Sequence, residues 1–130
     1  MLILCDIHST LFDSDTNRVN LAVVSVLKGL QSNHEICLIT ARVMNLTQKN
    51  AMIEQLKKSE KLTVKNIYCP TATEADKADD IKIKQFLLNK IMEERLEPIL
   101  TAIDNRKDVC KMYRHHNIDS FRFKASEGDE

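Results

Sequence analysis

The sequence predicts an α/β fold, a three-layer sandwich around a five-stranded parallel sheet, on three observations. Apolar segments of strand length alternate with segments of helical periodicity along the chain. The first four strand segments are apolar on consecutive positions, as strands covered on both faces are. Three of them end in polar residues able to do chemistry, which suits the carboxyl edge of a parallel sheet, where ligands bind.

The elements follow in order. LILCDI (2–7) is the first strand; its apolar run stops at Asp6 and leads into a hydroxyl-rich turn with Thr10. Residues 19–31 place Leu21, Val23, Val24, Leu27 and Leu30 on one helical stripe, with Asn20 as the cap. EICLIT (35–40) is the second strand, ending at Thr40 just before Arg42, and residues 43–59 form a helix carrying Val43, Leu46, Met52, Ile53 and Leu56. VKNIYC (64–69) is the third strand. PTATEADKA (70–78) reads as a long polar loop on the edge where a site should lie. A helix over 79–96 carries Ile83, Phe86, Leu87, Ile91 and Leu96. ILTAID (99–104) is the fourth strand, delivering Asp104, Asn105 and Arg106. A helix over 105–117 with Val109, Met112 and Tyr113 and a last strand, DSFRF (119–123), complete a single domain over 1–123, and the polar tail KASEGDE (124–130) is expected to fray.

Composition excludes several classes. A chain of 130 residues buries roughly 65–70% of its unfolded surface in one core. Basic and acidic residues balance at 19 each, so any attraction for nucleic acid must come from a local patch. With two glycines and two prolines there is no glycine-rich phosphate loop and no GxGxxG, which counts against a P-loop kinase and a dinucleotide enzyme. No run approaches the ~18 apolar residues of a membrane span. The N-terminus enters a strand directly, and Cys5, Cys37, Cys69 and Cys110 are scattered without CxxC spacing. Buried free thiols and a cytoplasmic location are therefore expected.

Three strands thus bring Asp6, Thr40, Asp104, Arg42 and Arg106 to one edge, an inventory that suits Mg²⁺ and a phosphate. Asp6 suits a nucleophile or a metal ligand. Thr40, with Ala41 and the helix start expected after it, would offer free N–H groups to phosphate oxygens. Arg42 and Arg106 can bind phosphate bidentately. Asp80 and Lys84 stand four apart on one helix face, either as site residues or as a surface ion pair worth a few tenths of a kcal/mol. Asp108 is a site residue or a charge favoured by the helix dipole, and His115–His116 reads as helix surface.

The motifs resemble a known family. CDIHSTLFD resembles the first motif of the haloacid-dehalogenase-like phosphohydrolases, DxDxT followed by Leu or Val; LITAR resembles the second, Asp80–Lys84 the third, and AIDNRKDV the fourth. DTNRVNLAVVSVLKGL, AIDNRKDVCKMYRHHNIDSFRF and KASEGDE are most similar to the 3′-phosphatase domain of phage polynucleotide kinase-phosphatases. The resemblance covers nearly the whole chain in the same order.

It implies a Rossmann-like sheet of order 5-4-1-2-3, and no segment is long enough for a cap domain. It further implies a Mg²⁺-dependent phosphomonoester hydrolase working through an aspartyl-phosphate on Asp6. The substrate would be a phosphorylated nucleotide or a nucleic-acid 3′-phosphate end, met in the host cytoplasm if the chain is phage-encoded. No obligate protein partner is implied. Asp6, Asp104 and the backbone carbonyl of His8 would hold the metal, and Thr10 would stand with the phosphate-binding residues. Lys84, or Lys82 beside it, would be the third-motif lysine, neutralising the attacked phosphate, with Asp80 positioning it.

Two departures stand out. His8 occupies the place of the family's general acid and base, and Asn105 the place of a second fourth-motif aspartate. Asn105 can still bind a water, and Asp108 could hold a metal-bound water from behind. Three readings of His8 stay open: an acid–base histidine, a slow phosphatase, or a catalytically silent relative binding a phosphorylated nucleotide or a partner protein.

Overall fold

The computed structural model describes residues 1–123; the tail expected at 124–130 lies outside them. Its elements are β1 (Leu2–Asp6), α1 (Leu21–Leu30), β2 (Glu35–Ile39), α2 (Leu46–Glu60), β3 (Val64–Tyr68), α3 (Ala72–Lys77), α4 (Asp80–Glu94), β4 (Ile99–Asp104), α5 (Lys107–His115) and β5 (Asp119–Arg122). All strands are parallel, in the order β3-β2-β1-β4-β5, the predicted order read from the other edge. The expected strands and helices are present, each within three residues of where periodicity put it.

Strand alternation builds two cores from one sheet. Ile3 and Cys5 of β1 face a cluster with Val23, Val24 and Leu27 of α1 and Leu56 of α2. Leu2 and Leu4 face the other way, onto Ile83, Leu87, Leu88 and Ile91 of α4 and Val109, Met112 and Tyr113 of α5. Cys5, Cys37 and Cys110 are buried, Cys69 is half-buried, and all four are free thiols, as expected. Among the described residues, no helix is long and apolar enough to cross a membrane.

Caps account for the boundaries that periodicity misplaced. Asn20 caps α1 as predicted, accepting from the backbone of Ala22 and Val23. The second helix starts at Leu46, not Val43, because Asn45 and Gln48 form a reciprocal capping box there. The segment read as a polar loop contains α3, started by a second capping box between Thr71 and Glu74. Leu21, Val43, Leu46, Phe86 and Leu96, assigned to the buried stripes, are exposed. Leu21 and Leu46 are the first residues of their helices, where no preceding turn turns them inward.

Candidate active site

Residues of the same parity on neighbouring strands point to the same face. The register that pairs Leu4 with Ala102 and Cys5 with Ile103 carries Asp6 alongside Asp104, both on the α4 side. There Lys84, turned inward from α4, places its Nζ 2.8 Å from Asp6 Oδ1 and 2.7 Å from Asp104 Oδ2. All three side chains are almost wholly withdrawn from water. Lys82 is exposed, so Lys84 is the lysine that enters the site.

The remaining carboxylate oxygens are also engaged. Thr10 Oγ1 donates to Asp6 Oδ2 at 2.9 Å. With its nitrogen turned to the acids, the Asn105 amide donates to Asp6 Oδ2 at 3.3 Å and to Asp104 Oδ1 at 3.2 Å. The backbone N–H of Arg106 donates to Asp104 Oδ1 at 2.9 Å, closing a tight turn at the strand end. That turn is fastened from β5, where Arg122 Nε donates to the Asn105 carbonyl at 3.0 Å.

Above this cluster lies a cleft of about 140 Å³, walled by Asp6, His8, Ser9, Thr40, Ala41, Arg42, Asp80, Lys84, Asn105 and Arg106. Grooves elsewhere are larger, such as one of about 340 Å³ between α4 and the start of β4. The smaller cleft is the one with convergent charged groups, and chemistry outweighs volume in locating a site. Asp104 and Thr10 sit beneath its floor, and Ser9 belongs to its wall although the sequence did not single it out. Ser9 adopts φ 64°, a left-handed conformation that costs a non-glycine residue on the order of 1–3 kcal/mol and is common where a loop is shaped by function.

Electrostatics follow burial. Burial raises the Asp6 carboxyl to about 6, against the pull of the Lys84 ammonium. Burial opposes the Lys84 charge, but the carboxylates of Asp6 and Asp104 outweigh it and leave its pKa raised. His8 is lowered by burial first and by the cations of Arg42 and Lys84 second, which favours the neutral imidazole.

Other placements differ from expectation. No helix starts at Thr40: its Oγ1 accepts from the Arg42 N–H at 3.1 Å in a turn that precedes Asn45, so Thr40 and Ala41 reach the cleft from a loop. Asp80 does not position Lys84; among the described residues its partner is Arg106, at 3.4 Å, because Lys84 is drawn inward by two carboxylates while Asp80 stays at the rim. Asp108 grips the same guanidinium through two bonds, of 3.1 and 2.7 Å. Asp108 therefore stands outside the cleft wall, bonded to Arg106, which already has two anionic partners. Arg42 is exposed and forms no ion pair among the described residues. His115 and His116 lie at the far end of α5, as read.

Among the described residues, no three His, Cys, Asp or Glu side chains are grouped so that together they could hold a metal ion. Asp6 and Asp104 instead offer hard oxygens that already share one cation, Lys84. Mg²⁺ is commonly held by one or two carboxylates, with waters and phosphate oxygens completing its shell. The residues present fit such a site.

With that geometry in hand, comparison with known proteins is informative. The family model for the polynucleotide kinase PNKP phosphatase domain matches residues 3–129. A search of curated proteins finds no match. A chain of the solved Pnkp1/Rnl/Hen1 complex superposes with a TM-score of 0.69 at 20% identity, over 93% of this chain and 44% of that one. That likeness shows the fold, and this chain spans less than half the length of that neighbour. The match over nearly the whole sequence shows the family: the chain belongs to the phosphatase domains of the polynucleotide kinase PNKP type.

Proposed function

We propose that the protein is a Mg²⁺-dependent phosphomonoester hydrolase acting on nucleic-acid 3′-phosphate ends or phosphorylated nucleotides. The observation that carries this reading is the Lys84 ammonium between Asp6 and Asp104 under a small polar cleft, in a chain of this family. Asp6 attacks phosphorus, the ester oxygen leaves, and water releases phosphate from the aspartyl-phosphate. Lys84 offsets charge on the attacked group, while Thr40 and Ala41 hold its oxygens from the wall and Arg42 binds the substrate outside the reacting centre. His8, on the same wall, gives a proton to the leaving oxygen from its imidazolium form, the minor one near neutrality because its pKa is lowered, and regains a proton from the attacking water. Arg106 lies at the rim, held by Asp80 and Asp108, where it meets a more distant part of the substrate.

Asp6, Asp104 and the carbonyl of His8 would hold Mg²⁺, which when bound neutralises phosphate charge as a Lewis acid. Among the described residues no segment forms a cap over the cleft, which suits a bulky nucleic-acid end, and the setting we propose is cytoplasmic.

The test is phosphate release from 3′-phosphorylated oligonucleotides, 5′-phosphorylated ones and mononucleotides, with and without Mg²⁺, beside an Asp6→Asn control. Mg²⁺-dependent release from the 3′ ends or the mononucleotides, lost in the control, is the expected result. A second reading, a catalytically weak or silent relative that binds phosphorylated nucleotides, is favoured by one observation. Both Asp6 oxygens are already occupied, one by Lys84 and the other by Thr10 and Asn105. Binding of 3′-phosphorylated oligonucleotides without turnover in any condition would select it.

A further inference from the structure

We infer that Asn105 sets the metal affinity of this site, lowering it so that Mg²⁺ occupancy depends on the phosphate of the substrate. The inference rests on the Mg²⁺ reading above and concerns what this chain's own residues do to it.

Four carboxylate oxygens face the site, and the protein supplies a donor to each. Lys84 takes Asp6 Oδ1 and Asp104 Oδ2. Thr10 and Asn105 take Asp6 Oδ2, and Asn105 and the Arg106 N–H take Asp104 Oδ1. Among the described residues, the Asn105 amide is the one side chain besides Lys84 that touches both acids, at 3.3 and 3.2 Å. A carboxylate in its place would stand within hydrogen-bond distance of two others that are almost wholly buried. Like charges that close, in a site poor in water, repel strongly and call for a cation. The amide does the opposite, since its N–H groups stabilise both carboxylates without a metal. Mg²⁺ must therefore displace an N–H donor and enter a site with one negative charge fewer than a third acid would give. Phosphate oxygens bring back the missing charge and ligands, so metal and phosphate bind better together than apart.

Titration calorimetry with Mg²⁺ alone, and with Mg²⁺ plus inorganic phosphate, tests this on the parent, Asn105→Asp and Asn105→Ala. The expected parent result is weak Mg²⁺ binding that phosphate strengthens. Asn105→Asp should bind Mg²⁺ on the order of tenfold tighter or more, and melt lower than the parent until Mg²⁺ is added. Asn105→Ala, which removes one of the two donors from each oxygen without adding charge, should bind a few-fold tighter and serves if the aspartate variant does not fold. If neither variant binds tighter than the parent, Asn105 has no such role. If none of the three binds Mg²⁺ even with phosphate, the Mg²⁺ reading fails as well. Turnover enters neither readout, so the test works equally on a catalytically silent protein.

Discussion

Two clusters in this molecule are built from the same parts, one cation between two carboxylates, at opposite edges of the sheet. At the amino edge, Arg95 pairs with Glu35 at the start of β2 and with Glu97 just before β4. At the carboxyl edge, Lys84 pairs with Asp6 and Asp104. The side chains of the first cluster keep 19, 38 and 34% of their surface in water; those of the second keep 5, 6 and 0%. In the first, water supports each charge, so the pairs fasten the turn after α4 to β2 and contribute little else. In the second, water is gone and each charge depends on the others. A fold bears that desolvation where the charges have a task, and the buried cluster is the one beneath a cleft.

Removing the cation from each cluster breaks the comparison most sharply. Lys84→Met leaves two buried carboxylates facing each other and is expected to cost about 3–5 kcal/mol in urea unfolding at neutral pH. Arg95→Met is expected to cost about 1 kcal/mol or less in the same measurement. Equal losses would mean that burial does not separate the two.

The next effect is kinetic. If His8 is the acid and base, His8→Ala should lower kcat on the order of 10²-fold, and His8→Asp should not exceed the parent. A gain with His8→Asp would instead mark the histidine as a brake on the family's chemistry.

Smaller again is the difference between the two arginines of the cleft. Arg42 has no ion-pair partner among the described residues, whereas Arg106 is already neutralised by Asp80 and Asp108. Arg42→Ala should raise KM for a 3′-phosphorylated oligonucleotide by about tenfold with little change in kcat. Arg106→Ala should change KM less. The reverse ranking would mean that substrate displaces the two carboxylates from Arg106.

The smallest effect is a pH dependence at the exposed cluster. The Arg95 hydrogen bond lowers Glu97 below its ordinary value of 4.5. That contribution is present above pH 4.5 and is lost as pH falls through the lowered value. The gap in melting temperature between the parent and Arg95→Met should therefore narrow on the acid side of pH 4.5 by the part that Glu97 contributes. A constant gap across that range would show that Glu97 contributes nothing through its charge.

Much of this was legible in the residues. The sheet order, the five strand positions, the Asn20 cap and the free thiols follow from apolar runs, local capping chemistry and the family resemblance. So does the meeting of Asp6 and Asp104, because two strand-end carboxylates in a parallel sheet share an edge. What was misread was local in one case and distant in the other. The T-x-x-E of Thr71–Glu74 is a helix-start signature inside a segment too polar to show periodicity. Asp80 and Lys84 look like an i,i+4 pair, yet the helix turns one outward to Arg106 and the other inward to two acids.

By itself the sequence determined the alternation of strand and helix and which side chains reach the carboxyl edge, since both depend on period and on the nearest few residues. Only the tertiary structure decided which further side chains meet the two strand-end acids. Lys84 beats Lys82 for the site because α4 packs Ile83, Leu87 and Ile91 against the sheet, and that packing sets which lysine faces inward. Asn105 bridges both acids because β1 and β4 are neighbours in register, although they lie about a hundred residues apart in sequence. Charges so far apart along the chain reveal their pairing only once packing has withdrawn them from water.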